Sequence, residues 1–210
     1  MDKIIVLGAG GHAKIIIDIL ESGTYYTEGL VNAEGEGECL GKPVLGTDEV
    51  LTSLYNKGIT NAAIGIGNVG NPEIRNKVYE NAKKIGFAFP NVIHPSAVIA
   101  GSARLGEAGV FAAGCVVNPE AEIGDNVIVN TNATVEHDVK LGYGVHIAPG
   151  AVVLGAAEIG DNTFIGAGAV INPMCKVGKN CIVGSGAVVI KDVPDNSTVV
   201  GVPVAPVKDK

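Results

Sequence analysis

The sequence predicts two folds in one chain: an α/β domain on a small parallel sheet over residues 1–90, then an all-β parallel β-helix with a C-terminal tail over residues 91–210. Three observations predict it. The character of the chain changes abruptly near Pro90. Before that point an apolar strand, a glycine turn and a helix-like stretch follow one another from Lys3 to Ser22. After it, cut in sixes from Val92, the chain reads VIHPSA, VIAGSA, RLGEAG, VFAAGC and onward to VVIKDV, seventeen hexads without a slip.

In the first domain, Lys3–Leu7 reads as a strand, Gly8-Ala9-Gly10-Gly11-His12 as a turn and the stretch to about Ser22 as a helix, the opening of a βαβ unit. A second strand is expected to end near Val31. Thr47 before Asp48–Tyr55, and Asn71-Pro72 before Glu73–Ile85, read as capped helices, with Asn61–Gly67 as a strand between them. The domain is therefore Rossmann-like. Its glycines permit close backbone approach, and amides exposed at a helix start attract phosphate, which makes Gly10, Gly11 and His12 candidates for holding a substrate. An NAD site also wants an acidic residue at the end of the second strand, where this chain has Asn32, so a dehydrogenase is disfavoured.

In the second domain the second position of every hexad is Ile, Leu, Val or, once, Phe111, and the sixth is always small or β-branched. One large and one small side chain recurring every six residues is the hexapeptide repeat of a β-helix. Positions three to five are rich in Gly, Asn, Asp and Pro, which tolerate tight corners, so three hexads make one triangular coil of 18 residues. First positions are expected to point outward on three faces. One carries Arg104, Glu122, Lys140, Glu158 and Lys176, a ladder of alternating charge suited to water. A second carries Val98, Val116, Thr134, Val152, Val170 and Val188, and a third carries Val110, Ile128, His146, Phe164 and Ile182. Two apolar outer faces on one prism are expected to be buried by neighbours, and a threefold ring closes naturally, so a homotrimer is expected.

A net charge of −7 over 210 residues, with no basic cluster and no Trp, argues against a nucleic-acid partner. The apolar run near the start is interrupted by His12, Lys14 and Asp18, so it is neither a signal peptide nor a membrane span, and a cytoplasmic location is expected. Cys39, Cys115, Cys175 and Cys181 lack C-x-x-C spacing, so no zinc site is expected and a reducing compartment fits.

His137 occupies a corner position with Asp138 beside it, and Gly155 stacks on it one coil later. Histidine is the side chain whose ordinary titration spans neutral pH, and a neighbouring carboxylate holds its ring and stabilises the imidazolium, which suits activation of an amine or hydroxyl. Gly155 leaves room beside it for an incoming group. His146, on an apolar face, either meets the next subunit's His137 or fills a hydrogen-bonded structural role, because a buried imidazole with an unused donor is costly.

Taken together, Gly10-Gly11-His12-Ala13-Lys14 after the first strand, the seventeen hexads and Glu136-His137-Asp138 resemble the sugar O- and N-acyltransferases that include the sialic acid O-acetyltransferases and the PglD-type nucleotide-aminosugar N-acetyltransferases. The resemblance implies a left-handed helix, His137 as general base with Asp138 raising its basicity, and His146 and Ala167 on acetyl-CoA, with no metal. It implies a nucleotide sugar held by Gly10, Gly11 and His12, with Asn32 and Ala33 where the family has acidic residues. The ending from Val189 to Pro203 is similar to the acetyltransferase tail beside the coenzyme. N-acetylation of a nucleotide-linked amino sugar is the first expectation and O-acetylation of a sialic-acid-type sugar the second. A β-helix carbonic anhydrase would need clustered metal-binding histidines, and His94, His137 and His146 lack that spacing; a noncatalytic scaffold would turn over no thioester.

Overall fold

A computed structural model describes residues 2–23 and 25–206; positions 1, 24 and 207–210 lie outside the described residues. The chain divides into two compact units, Met1–Pro95 and Ser96–Lys210.

The first unit is built on a five-stranded sheet ordered β3-β4-β2-β1-β5. Its central strand β1 (Asp2–Leu7) lies parallel to β2 (Tyr25–Val31) on one side and to β5 (Asn61–Ile64) on the other. Ile4, Ile5, Val6 and Leu7 are all buried, as expected of a parallel strand covered on both faces. Helix α1 (Gly11–Glu21) buries Ala13, Ile16, Ile17, Ile19 and Leu20. A Cβ added at Gly65, just past β5, would lie 3.0 Å from the Ala13 methyl and 2.7 Å from Val6, so this corner admits no larger side chain.

Several details depart from the sequence reading. Strand β5 ends at Ile64 rather than near Gly67. The single helix expected over Asp48–Tyr55 is a 3-10 turn, Asp48–Val50, followed by the short α2 (Leu51–Asn56), and Thr47 makes no side-chain cap. Helix α3 (Glu73–Ile85) starts as expected, with Pro72 at the cap position, while the Asn71 side chain accepts the Glu73 N–H at 3.0 Å. Between β2 and α2 lies an unanticipated hairpin, β3 (Glu38–Cys39) and β4 (Lys42–Gly46), turned by Leu40 and Gly41 at φ 47° and 73°. β4 also pairs parallel with β2.

The second unit is the β-helix. Sixteen two-residue strands, from Val98–Ile99 to Val188–Val189, recur every six residues and stack parallel on the strand 18 residues away, as in Val116, Thr134 and Val152. Second positions from Phe111 to Val189 are buried, interleaved with the sixth-position residues Cys115, Ala121, Val127 and their successors. The corner depends on the fifth position of the hexad. There Ala108, Glu120, Asn126, Asn132, Asp138, Ala156, Asn162, Met174 and Asn180 all have φ between 54° and 61°, and glycines take the same conformation at 114, 144, 150, 168 and 186. Asn, Asp and Gly enter this left-handed region with the least steric cost, which is why they crowd the repeat. Burial pushes the Cys115 thiol up to about 11, so it stays an inert filler of the interior.

The charged face is solvent-exposed and cross-linked as its alternation implies, by Arg104 to Glu122 at 2.7 Å and Lys176 to Glu158 at 3.2 Å. The valine face, with Val116, Thr134, Val152, Val170 and Val188 half-buried and Val98 exposed, stands open. The third face does not. Val110 and Ile128 are 1% exposed and His146 is 5% exposed in a single chain, leaving only Phe164 and Ile182 half-buried. The expectation of two open apolar walls is thus corrected to one: the six-residue period tells which way a side chain points, not what covers it.

All three sheets are closed off at their last coil by residues 192–206. The Val193 N–H donates to the Lys176 carbonyl on the charged face; on the valine face the Val188 N–H donates to the Gly201 carbonyl and the Val204 N–H donates to the Val188 carbonyl. On the third face the strand Thr198–Val200 adds in parallel and Ala205–Pro206 folds back on it antiparallel.

Candidate active site

His137 sits on the corner that carries the chain from the valine face, at Thr134–Val135, to the charged face, at Lys140–Leu141. Two backbone bonds between coils pin the corner: the Asp138 N–H donates to Pro119 O at 3.1 Å, and the Ala156 N–H donates to His137 O at 2.9 Å. The side chains stand out from it, 62% and 61% exposed, with His137 Nδ1 2.8 Å from Asp138 Oδ2. A carboxylate only accepts, so Nδ1 carries a hydrogen, and in the neutral ring the lone pair is on Nε2. The adjacent residue supplies this contact because the left-handed backbone of Asp138, φ 60°, turns its side chain back toward the ring.

The ring's Cε1–Nε2 edge lies over Gly155. A Cβ at that position would come within 2.7 Å of both atoms. The space left by the missing side chain is therefore occupied by the His137 ring itself, and Gly155 sets where the basic nitrogen lies.

His146 is one strand further along the coil and is withdrawn from solvent. Its Nε2 is 3.2 Å from Asn130 Nδ2, and its ring meets Phe164 edge-on at 5.2 Å. Asn130 Oδ1 accepts the Thr131 N–H at 2.8 Å, which turns the amide nitrogen toward the histidine. Nε2 of His146 is then the acceptor and Nδ1 the protonated nitrogen. Sequence reasoning missed Asn130; the signal was a polar third-position residue one coil before a first-position histidine.

Ala167 is exposed on the other corner bounding the valine face, next to Gly168 at φ 65°. His137 and Ala167 thus border opposite edges of the same apolar face, so a single chain does not bring them together.

In the first unit, a slot of about 540 Å³ opens at the C-terminal ends of β1 and β2. Leu7, Val31, Ile66 and Ile74 give it apolar walls, and Asn32, Glu34, Thr47, Asp48 and Lys77 bring polar groups to it. Ligands of open α/β sheets bind at such a place, where successive connections leave the sheet in opposite directions. Arg75, buried, holds one wall by donating from Nη1 to the Ile64 and Ile66 carbonyls. Gly8, at φ 112° and with Ile66 in the place of a Cβ, is the glycine this turn requires. Gly10 and Gly11 are exposed at the start of α1 with open space around them; they, with His12, follow the slot-lining Gly8 and Ala9. α1 has neither a side-chain cap nor an acidic residue in its first turn, so its leading amides present an uncompensated positive end.

Among the described residues no group of three or more His, Cys, Asp or Glu converges as a metal site would require, and no helix is long and apolar enough to cross a membrane. A hexapeptide-repeat prism with a corner His–Asp pair, joined to an α/β unit, defines an acyltransferase. Residues 3–82 match the PglD N-terminal domain, and residues 120–155 and 156–191 match the six-repeat bacterial transferase hexapeptide. The chain is 36% identical, over 100% of its length and 98% of the other's, to the perosamine N-acetyltransferase of Caulobacter crescentus, solved as a histidine-to-asparagine variant with CoA and GDP-perosamine, with a TM-score of 0.96. It is 39% identical to the acetyltransferase domain of PglB from Neisseria gonorrhoeae FA1090, solved with acetyl coenzyme A, covering 98% of each chain with a TM-score of 0.90. WeeI from Acinetobacter baumannii AYE is 28% identical over 99% of this chain and 100% of that one, with a TM-score of 0.82. The chain belongs to the PglD-type hexapeptide-repeat acetyltransferases.

Proposed function

We propose that this protein transfers the acetyl group of acetyl-CoA to the amine of a nucleotide-linked amino sugar, with His137 as general base. The observation that carries the reading is the His137–Asp138 pair on an exposed corner, which in the neutral ring puts the lone pair on Nε2. The amine attacks the thioester carbonyl, His137 Nε2 takes its proton, the C–S bond breaks, and CoA leaves as the thiol once the sulfur is protonated. Asp138 holds the ring and stabilises the imidazolium. On this reading acetyl-CoA lies against Ala167 and the His146 side, and Gly10, Gly11, His12 and the Asn32 loop hold the nucleotide sugar. That the matched structures hold CoA, acetyl coenzyme A and GDP-perosamine supports an acyl-CoA donor and a nucleotide-sugar acceptor.

The working form is a homotrimer in the cytoplasm, where acetyl-CoA is available. Its support is the open valine face bounded by the two corners. Packing that face against a neighbour around a threefold axis brings the His137 edge of one chain to the Ala167 edge of the next.

The test is CoA release from acetyl-CoA with a panel of nucleotide-linked amino sugars and free sialic acid. Turnover confined to amino sugars is expected; turnover of sialic acid alone, or of nothing, refutes the reading. The division of labour gives a second expected result. A Cβ at Gly11 has no atom within 4 Å, so Gly11→Val fits the folded chain while filling the approach to the α1 amides. It should raise the KM for the nucleotide sugar severalfold and leave that for acetyl-CoA unchanged, as steady-state kinetics would show; equal effects on both substrates would contradict it.

A further inference from the structure

We infer that the slot of the α/β unit selects a guanine-linked acceptor, with Asp48 reading the base and Glu34 holding the ribose. This rests on the nucleotide-sugar reading above and assigns the parts of the nucleotide to residues.

The strand order makes the assignment. From β1 through β2 to β4 the sheet steps sideways, each strand about 4.8 Å from the last, so the turns after these three strands span about 10 Å. After β1 come Gly8 to Gly11 and the uncapped start of α1, the place for a diphosphate. After β2 comes Glu34, three residues past Val31, where a carboxylate in an open α/β sheet accepts from ribose hydroxyls. After β4 come Thr47 and Asp48. Phosphate, ribose and base thus meet their partners in the order in which they are bonded in a nucleotide.

Charge fixes the direction. Two carboxylates at one end of the slot repel a diphosphate, whereas the α1 amides attract one. Asn32 does not compete for the ribose, because both ends of its amide hold the loop: Oδ1 accepts the Gly35 N–H at 2.7 Å, and Nδ2 donates to Glu36 O at 3.2 Å. Gly35, at φ 74°, lets this loop lie against Thr47; a Cβ there would be 3.0 Å from the Thr47 methyl. Glu34 and Asp48 line the same slot.

A carboxylate at the base end accepts hydrogen bonds and gives none. Guanine alone presents two adjacent donors, N1–H and the N2 amino group, which match the two oxygens of one carboxylate. Uracil and thymine offer a single N–H between two carbonyl oxygens that a carboxylate repels, and adenine offers one amino group beside an acceptor nitrogen. Asp48 is therefore matched to guanine.

The test is calorimetric titration of the full chain with GDP, UDP and ADP. GDP is expected to bind at least about tenfold more tightly than the other two, the scale of one bidentate base contact. Asp48→Asn should abolish that preference, and Glu34→Gln should weaken all three alike; both side chains are exposed, so an unchanged melting temperature establishes that the variants fold. UDP or ADP binding as tightly as GDP, or an Asp48→Asn variant that keeps the preference, overturns the base assignment while the nucleotide slot stands. If no diphosphate binds to a preparation that binds acetyl-CoA, the slot and the acceptor reading both fall.

Discussion

His137→Ala should lower kcat by about 10²–10⁴-fold, the usual worth of a general base, while the protein stays folded and still binds acetyl-CoA. Folding is spared because the ring is an exposed corner side chain whose only described polar partner is Asp138, and the corner itself is held by backbone bonds to Pro119 and Ala156. Asp138→Asn should cost less. It removes the charge that stabilises the imidazolium but keeps a residue that accepts the left-handed backbone at φ 60°. Single-turnover kinetics would check both variants. A folded His137→Ala enzyme retaining more than about a third of wild-type kcat with its true acceptor would remove His137 from the mechanism, since such a loss is far below the general-base range.

Val152→Glu should both break the proposed trimer and abolish most turnover. In a single chain Val152 is half-buried in the middle of the open valine face, so the carboxylate costs the monomer little. Packed against a neighbour it becomes an unpaired buried charge, costing about 3–5 kcal/mol at each contact, or roughly 10²–10⁴-fold in association. Because His137 and Ala167 border opposite edges of that face, dissociation would also dismantle the site with every proposed catalytic residue unaltered. Sedimentation and kcat measured over a range of protein concentrations should fall together. A wild-type protein that sediments as a stable monomer at micromolar concentration, or a fully active monomeric Val152→Glu, would end the proposal. Ile128→Glu does not give the same information, because Ile128 is already 1% exposed within one chain and its replacement would damage folding first.

The β-helix was legible because its two constraints are local and periodic: a large residue inward at the second position of each hexad, and a left-handed backbone at the fifth. Both appear in the sequence as residue types. The βαβ opening was equally plain, since β1 is a continuous apolar run and α1 follows its glycines directly. The hairpin of β3 and β4 was hidden because its turn is Leu40-Gly41, in which the first left-handed residue is not one of the types that announce such a turn. The covering of Val110, Ile128 and His146 was hidden for a different reason, because burial of an outward position depends on tertiary neighbours. The corner pair itself could be read because His137 and Asp138 are adjacent. Asn130 was not read, being 16 residues from His146 and joined to it only by the winding of the coil.

The closing segment, residues 192–206, bears on how such a prism stays finite. A β-helix is a stack of identical layers, and its last layer offers three rows of unpaired amides and carbonyls to any similar layer, a template for end-to-end growth into a fibre. Here each row already has a partner: Val193 on one side, the turn around Gly201 and Val204 on the second, and the Thr198–Val200 strand on the third, itself covered by Ala205–Pro206. The outermost strand is only two residues long and includes a proline, which has no N–H to donate. The same repetition that makes the fold easy to extend is thus halted, at this end of the prism, by a short antiparallel return.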